Sequence, residues 1–131
     1  MKQWLWFLGI FTSCALLTGC VSSVPLEARV NQLDNGGTIT LQQGQELVVE
    51  LERNPASSHT LMWRVVSGGI KIFGAPMSKT LENQQTIVDS YTFTALFVGK
   101  DQLRIEEQSQ QTNDVESITH RVFTLNVTVT K

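Results

Sequence analysis

Cysteine is missing from all of residues 21–131, because the chain's two cysteines are Cys14 and Cys20. No disulfide can staple that stretch, so its stability must come from apolar burial. Histidine is scarce as well: only His59 and His120 occur, and neither an HExxH nor a CxxC pattern is present. With no acidic cluster at ligand spacing either, no metal and no cofactor are expected. Basic clusters and aromatic-basic interleaving are absent, which excludes nucleic acid as an expected partner. Ser57 and Ser58 do lie beside His59. Adjacent residues of one loop cannot assemble a nucleophile, an oriented base and an oxyanion hole, so an enzyme is not expected. Gly36-Gly37 and Gly68-Gly69 lack the surroundings of a phosphate cradle and read as tight turns.

What is present begins with an apolar segment. Lys2 precedes Trp4–Leu17, in which Thr12 and Ser13 are the polar side chains, and Leu17-Thr18-Gly19-Cys20 follows. The run is shorter than the roughly 20 residues of a membrane span. Its pattern resembles the lipobox of bacterial lipoproteins, which implies removal of residues 1–19 and acylation of Cys20. An uncleaved anchor helix and an ordinary secretory signal are the alternatives. Lipid chains on one residue hold it in a bilayer at about 0.8 kcal/mol per buried methylene. Val21 after the cysteine, where Asp would retain the protein in the inner membrane, points by the same resemblance to the outer membrane. Residues 20–36 are then the lipidated cysteine and a tether, and residues 37–131 one domain. Without Lys2, nine basic residues face twelve acidic ones.

Beyond the tether the hydrophobic period is two. Ile39 and Leu41 share a face; Gln43-Gly44 turns the chain into Glu46–Glu52, with Leu47, Val49 and Leu51 opposed to Glu46, Glu50 and Glu52. Further strands are expected at Leu61–Val66, Ile70–Phe73, Ile87–Phe97, Leu103–Ile105 and Arg121–Thr130. Glu106 and Glu107 fall on opposite faces of their strand and read as a solvated edge. About seven short strands without a helix-period stretch predict an all-β protein, an immunoglobulin-like antiparallel β-sandwich.

One connection stands out. Leu51-Glu52-Arg53-Asn54-Pro55-Ala56-Ser57-Ser58-His59-Thr60-Leu61-Met62-Trp63 joins two strands through a loop opened by Asn-Pro. Proline fixes its own φ and holds Asn54 extended, and small residues follow. Trp63 reads as a core residue. The segment resembles the Asn-Pro-Thr-Thr-Gly loop, with its following tryptophan, of chagasin-like inhibitors of papain-family cysteine proteases. Gly44, Tyr91-Thr92-Phe93-Thr94-Ala95-Leu96 and Gly99 follow that family's order. The resemblance implies a sandwich that inserts three loops from one end into a protease cleft. Ala56, Ser57 and Ser58 replace the two threonines and the glycine, and Glu82–Ser90 stands where the family has a glycine-rich loop. Glu106-Glu107-Gln108-Ser109-Gln110 stands in place of Arg-Pro-Trp.

The implied contact residues are Asn54, Pro55, Ala56, Ser57, Ser58, His59 and Thr60, flanked by Gln84, Gln85 and Thr86 and by Glu106, Glu107 and Gln108. The implied partner is a cysteine protease. A non-inhibitory adaptor docking an envelope protein is the competing class, and inhibition of a lytic enzyme such as lysozyme is a third.

Overall fold

Alternation of inward apolar and outward polar residues builds every long strand of the computed structural model, which describes residues 26–55, 60–67, 71–109 and 118–131. The strands are β1 (Glu27–Asn31), β2 (Gly37–Gln42), β3 (Glu46–Glu52), β4 (Leu61–Ser67), β5 (Met77–Glu82), β6 (Ile87–Thr94), β7 (Gly99–Ser109) and β8 (Thr119–Thr130). They form two four-stranded sheets, ordered β1-β3-β6-β5 and β2-β8-β7-β4. Between the sheets lie Leu47, Val49, Leu51, Phe93, Leu103, Ile105, Phe123, Leu125, Val127 and Val129, all at or below 1% exposure. Trp63 joins them at 2%, as its expected core role requires. The predicted all-β sandwich is what forms.

Its details depart from expectation in four places. Two edge pairings are parallel: β1 with β3 and β2 with β8. The chain runs up one sheet edge in β1, turns through a 3-10 turn at Gln32–Asp34, and runs down the edge of the other sheet in β2. Neither strand is joined to its partner by a hairpin, so nothing compels antiparallel pairing. Second, the expected tether contains β1, so the sheet starts before residue 37. Asn31 caps the turn reciprocally with Asp34, its side chain accepting from Leu33 N–H while Asp34 accepts from its own.

Third, Ile70 of the strand expected at Ile70–Phe73 lies outside the described residues, and Ile72 and Phe73 are buried, with a single bridge from Phe73 to Ala95 in place of a described strand. Fourth, β5 was not anticipated. All its side chains are exposed, so it has no hydrophobic alternation to read.

Candidate functional site

The strand register decides which connections share an end. Glu52, closing β3, pairs with Val88 at the start of β6, and Glu82, closing β5, pairs with Ile87. The β5–β6 turn therefore lies beside the exit of β3. In the other sheet Leu61, opening β4, pairs with Ser109, and Thr119 pairs with Gln108. The β7–β8 connection therefore lies beside the entry of β4. The β3–β4 connection joins the two sheets at this same pole, so all three candidate loops are rooted at one end.

A polar layer underlies that pole. Arg53 continues the inward series of Leu47, Val49 and Leu51, and Asp89 continues that of Phe93 and Tyr91. Arg53 Nε and Nη2 donate to Asp89 Oδ2 and Oδ1, each at 2.8 Å, and both side chains are under 10% exposed. The hydrogen bond to Asp89 holds the Arg53 guanidinium above its usual range despite burial. Asp89 also accepts from the Trp63 backbone N–H at 2.9 Å and from Thr80 Oγ1 at 2.9 Å. Trp63 belongs to an edge strand of the opposite sheet, so one carboxylate ties the two sheets together. Tyr91 Oη donates to the Trp63 carbonyl as well. Burial, then the nearby Asp89 charge, pushes the Tyr91 phenol up to about 12.

The second ion pair is the mirror of the first in the other sheet. Trp63, Glu107 and Arg121 are cross-strand neighbours on the inner face of β4, β7 and β8. Arg121 Nε and Nη2 donate to Glu107 at 2.6 and 2.8 Å, and its guanidinium carbon sits 5.1 Å from the Trp63 ring centroid. Glu107 is fully buried, and burial pushes its pKa up. The bonds from Arg121 and from the Asn54 backbone N–H at 2.7 Å outweigh this and hold it below the usual carboxylate range. The Glu52 carbonyl takes donors from Trp63 Nε1 at 3.0 Å, Gln32 Nε2 at 2.9 Å and Arg121 Nη2 at 2.8 Å. Residues 52–54, the root of the candidate loop, are thus clamped by both ion pairs.

The expected contact residues divide accordingly. Asn54 is half-buried, and Pro55 and Thr60 are exposed at the loop's two ends. Ala56, Ser57, Ser58 and His59 lie outside the described residues. Gln84, Gln85 and Thr86 do form a turn at this pole, organised by Asn83 Oδ1, which accepts from the Gln85 and Thr86 N–H groups.

Glu106, Glu107 and Gln108 are not a loop. They belong to β7, which runs on to Ser109, and β7 is interior to its sheet, paired on both sides. Glu107 is therefore a buried support, where a solvated edge was expected. Glu106 faces outward and is held below the usual carboxylate range by bonds from Thr119, Gln108 and Arg104.

A surface groove of about 530 Å³ runs past the loop root, lined by Asn31, Gln32, Leu33, Glu52, Arg53, Pro55 and Arg121. Leu33 stands on its rim, 93% exposed. Sequence reading missed Leu33, Arg53 and Arg121 as parts of this pole. For the arginines the signal existed: each extends an inward-facing series by one more alternate position.

Known structures of the same shape include EhICP2, a cysteine protease inhibitor from Entamoeba histolytica. It aligns with a TM-score of 0.65 at 12% identity, over 79% of this chain and 95% of that one. Amebosin aligns with a TM-score of 0.62 at 18% identity, over 82% of this chain and 100% of its own. No protein-family profile and no curated protein sequence matches the chain. At these identities the likeness establishes the fold: this chain is built on the same sandwich as a known cysteine protease inhibitor.

Proposed function

We propose that the protein is a lipid-anchored inhibitor of papain-like cysteine proteases that fills the enzyme's cleft with the loop pole of the sandwich. The observation that carries the reading is the common pole of the three connections, with Asn54 N–H held by the buried Glu107. A loop root that is already held in place adds no ordering cost of its own on binding, which favours affinity. In this reading residues 54–60 are the contact segment, or wedge, rooted at Asn54, and the Gln84–Thr86 turn lies at the same pole. The family's Trp- and Arg-bearing anchors are replaced here, so exposed Leu33 and Pro55 supply the apolar contacts around the wedge. Acylated Cys20 holds the domain at a bacterial envelope membrane, by the lipobox pattern the outer one.

Steady-state assays against a panel of papain-type proteases test this directly. Inhibition at sub-micromolar concentration is expected, and Pro55→Gly should weaken it about tenfold by loosening the wedge, more than its cost in folding stability of roughly 1 kcal/mol accounts for in protein that is still folded at the assay temperature. Absence of inhibition across the panel by folded protein overturns the reading.

One feature favours the competing class. The edge strand β5 exposes all six side chains and one unpaired backbone edge, the geometry that accepts an added strand. An envelope adaptor would use that edge. A stable partner retained through detergent purification, and unaffected by substitutions in residues 54–60, would select it.

A further inference from the structure

The pole opposite the candidate loops has a composition of its own. Leu96, Phe97 and Val98, between β6 and β7, are 42%, 58% and 51% exposed. Their backbone is fixed: Leu96 and Phe97 N–H groups donate to the Ile72 carbonyl at 2.8 and 3.1 Å, and Gln43 Nε2 donates to the Leu96 carbonyl at 2.7 Å. Lys71 adjoins Ile72, Lys100 pairs with Thr128 at the start of β7, and Lys131 follows the last residue of β8. All three lysines are exposed. Residues 21–131 contain four lysines, and three of them lie around this apolar tip, the fourth, Lys79, being on β5. The carboxylates nearby are Glu46 and Asp101, both half-buried, and Glu27, which is paired with Arg29 at 2.6 Å.

The direction of β1 adds an independent fact. Because β1 runs parallel to β3, with the Glu46 N–H donating to the Leu26 carbonyl at 2.8 Å, the described chain starts at this same pole. Leu26 is 84% exposed there. Five residues lie between it and Cys20, a reach of at most about 22 Å fully extended.

We propose that this pole is a membrane-facing surface: the Leu96-Phe97-Val98 tip enters the headgroup region, and Lys71, Lys100 and Lys131 contact anionic lipid headgroups. The proposal rests on the reading that Cys20 is acylated, because the short reach from Cys20 then holds this pole against the bilayer. An aromatic flanked by aliphatic residues suits the interface, and each lysine near an anionic surface strengthens binding about fivefold. The loop pole consequently faces away from the bilayer, where a soluble protein can reach it.

The test uses the full chain, processed in a bacterial envelope and reconstituted into phosphatidylglycerol–phosphatidylethanolamine vesicles. A polarity-sensitive fluorophore is placed on Val98→Cys or, as a control at the other pole, on Gln85→Cys. The probe at position 98 should be blue-shifted and quenched by lipid-borne spin labels several-fold more than the probe at 85. Lys71→Glu with Lys100→Glu, or added salt, should reduce the difference. Intact mass reports acylation separately. Acylated protein with equal quenching at both positions overturns the surface while leaving the anchor standing. Unacylated protein overturns the anchor, and the surface is then read on a Cys14→Ser, Cys20→Ser chain whose sole thiol is the introduced one: quenching at 98 above that at 85 supports the surface, and equal quenching overturns it.

Discussion

At the loop pole, two ion pairs with buried carboxylates are added to the backbone hydrogen bonds; at the opposite pole, no such pair stands among the described residues and backbone bonds predominate. Arg53–Asp89 and Glu107–Arg121 close one end of the core and grip residues 52–54. At the other end the Gln43 and Gly44 N–H groups donate to the Thr130 and Ala95 carbonyls, each at 2.7 Å, and Ala95 N–H to the Gln45 carbonyl at 2.9 Å. Gly44, at φ 91°, supplies the left-handed conformation this turn needs. Backbone bonds are indifferent to side-chain identity, so the second pole is free to display Phe97 and lysines. The first pole adds a few buried titratable residues to its backbone bonds, among them Arg53 N–H to the Ile87 carbonyl at 2.9 Å. It should therefore be the end that mutation and pH reach.

The largest asymmetry should come from Asp89. Alanine there takes both carboxylate oxygens from the buried Arg53 guanidinium and the acceptor from the Trp63 N–H, which should cost about 3–5 kcal/mol in urea unfolding. Phe97→Ser at the other pole removes an exposed side chain and should change stability by less than about 0.5 kcal/mol. Equal losses at the two sites would erase the contrast between the poles.

Glu107→Gln should come next, at about 1.5–3 kcal/mol, because it discards a charge-assisted pair while nearly preserving shape. The pair also predicts an acid limb. The folded pKa of Glu107 lies below its ordinary value of 4.5, so its contribution is fully present above that pH and is lost as pH falls through the lower folded value. Thermal midpoints of the wild type should fall more steeply below about pH 4.5 than those of Glu107→Gln. Parallel curves would mean that the ion pair contributes no pH-linked stability.

Tyr91 gives the alkaline counterpart, smaller in size. Its phenol is raised from 10.0 to about 12, so the protonated folded state is favoured. That stability is complete below pH 10 and is lost as pH rises through about 12. Tyr91→Phe should remove this limb and lower stability near neutrality by about 1 kcal/mol, the usual worth of one hydrogen bond.

These residues mark where the sequence was legible and where it was not. Period two located β3 to the residue, since Leu47, Val49 and Leu51 alternate with glutamates. The same periodicity, carried one step further, places Arg53, Glu107 and Arg121 on inner faces. A charge at an inward position reads as the end of a strand unless its partner is known, and here the partners are distant in sequence. Glu107 and Arg121 meet only through the β7–β8 register, and Arg53 and Asp89 only through a two-strand pairing. β5 was illegible for the opposite reason: an edge strand exposed on all sides carries no burial pattern. β1 was hidden by its setting beside Pro25 and a stretch read as tether. Of the candidate site, Asn54 and Pro55 were visible as backbone chemistry, whereas Leu33 had no local signal at all.

Leu33 therefore provides the finest test of the comparison. At 93% exposure its removal leaves the core untouched, so Leu33→Ser should match Phe97→Ser in unfolding, both within about 0.5 kcal/mol of wild type. The two should separate in function. Leu33 shares a groove with Pro55 and Arg53 beside the wedge, and burying a leucine side chain against a partner is worth about 1.5–3 kcal/mol, or roughly tenfold to a hundredfold in affinity. Phe97 lies at the other end and touches no surface that a docked protease would cover. Inhibition assays on the pair should show weakening for Leu33→Ser alone. If Phe97→Ser weakens inhibition as much, the working surface is not confined to the loop pole. If neither does, the wedge acts without help from the turn that precedes β2.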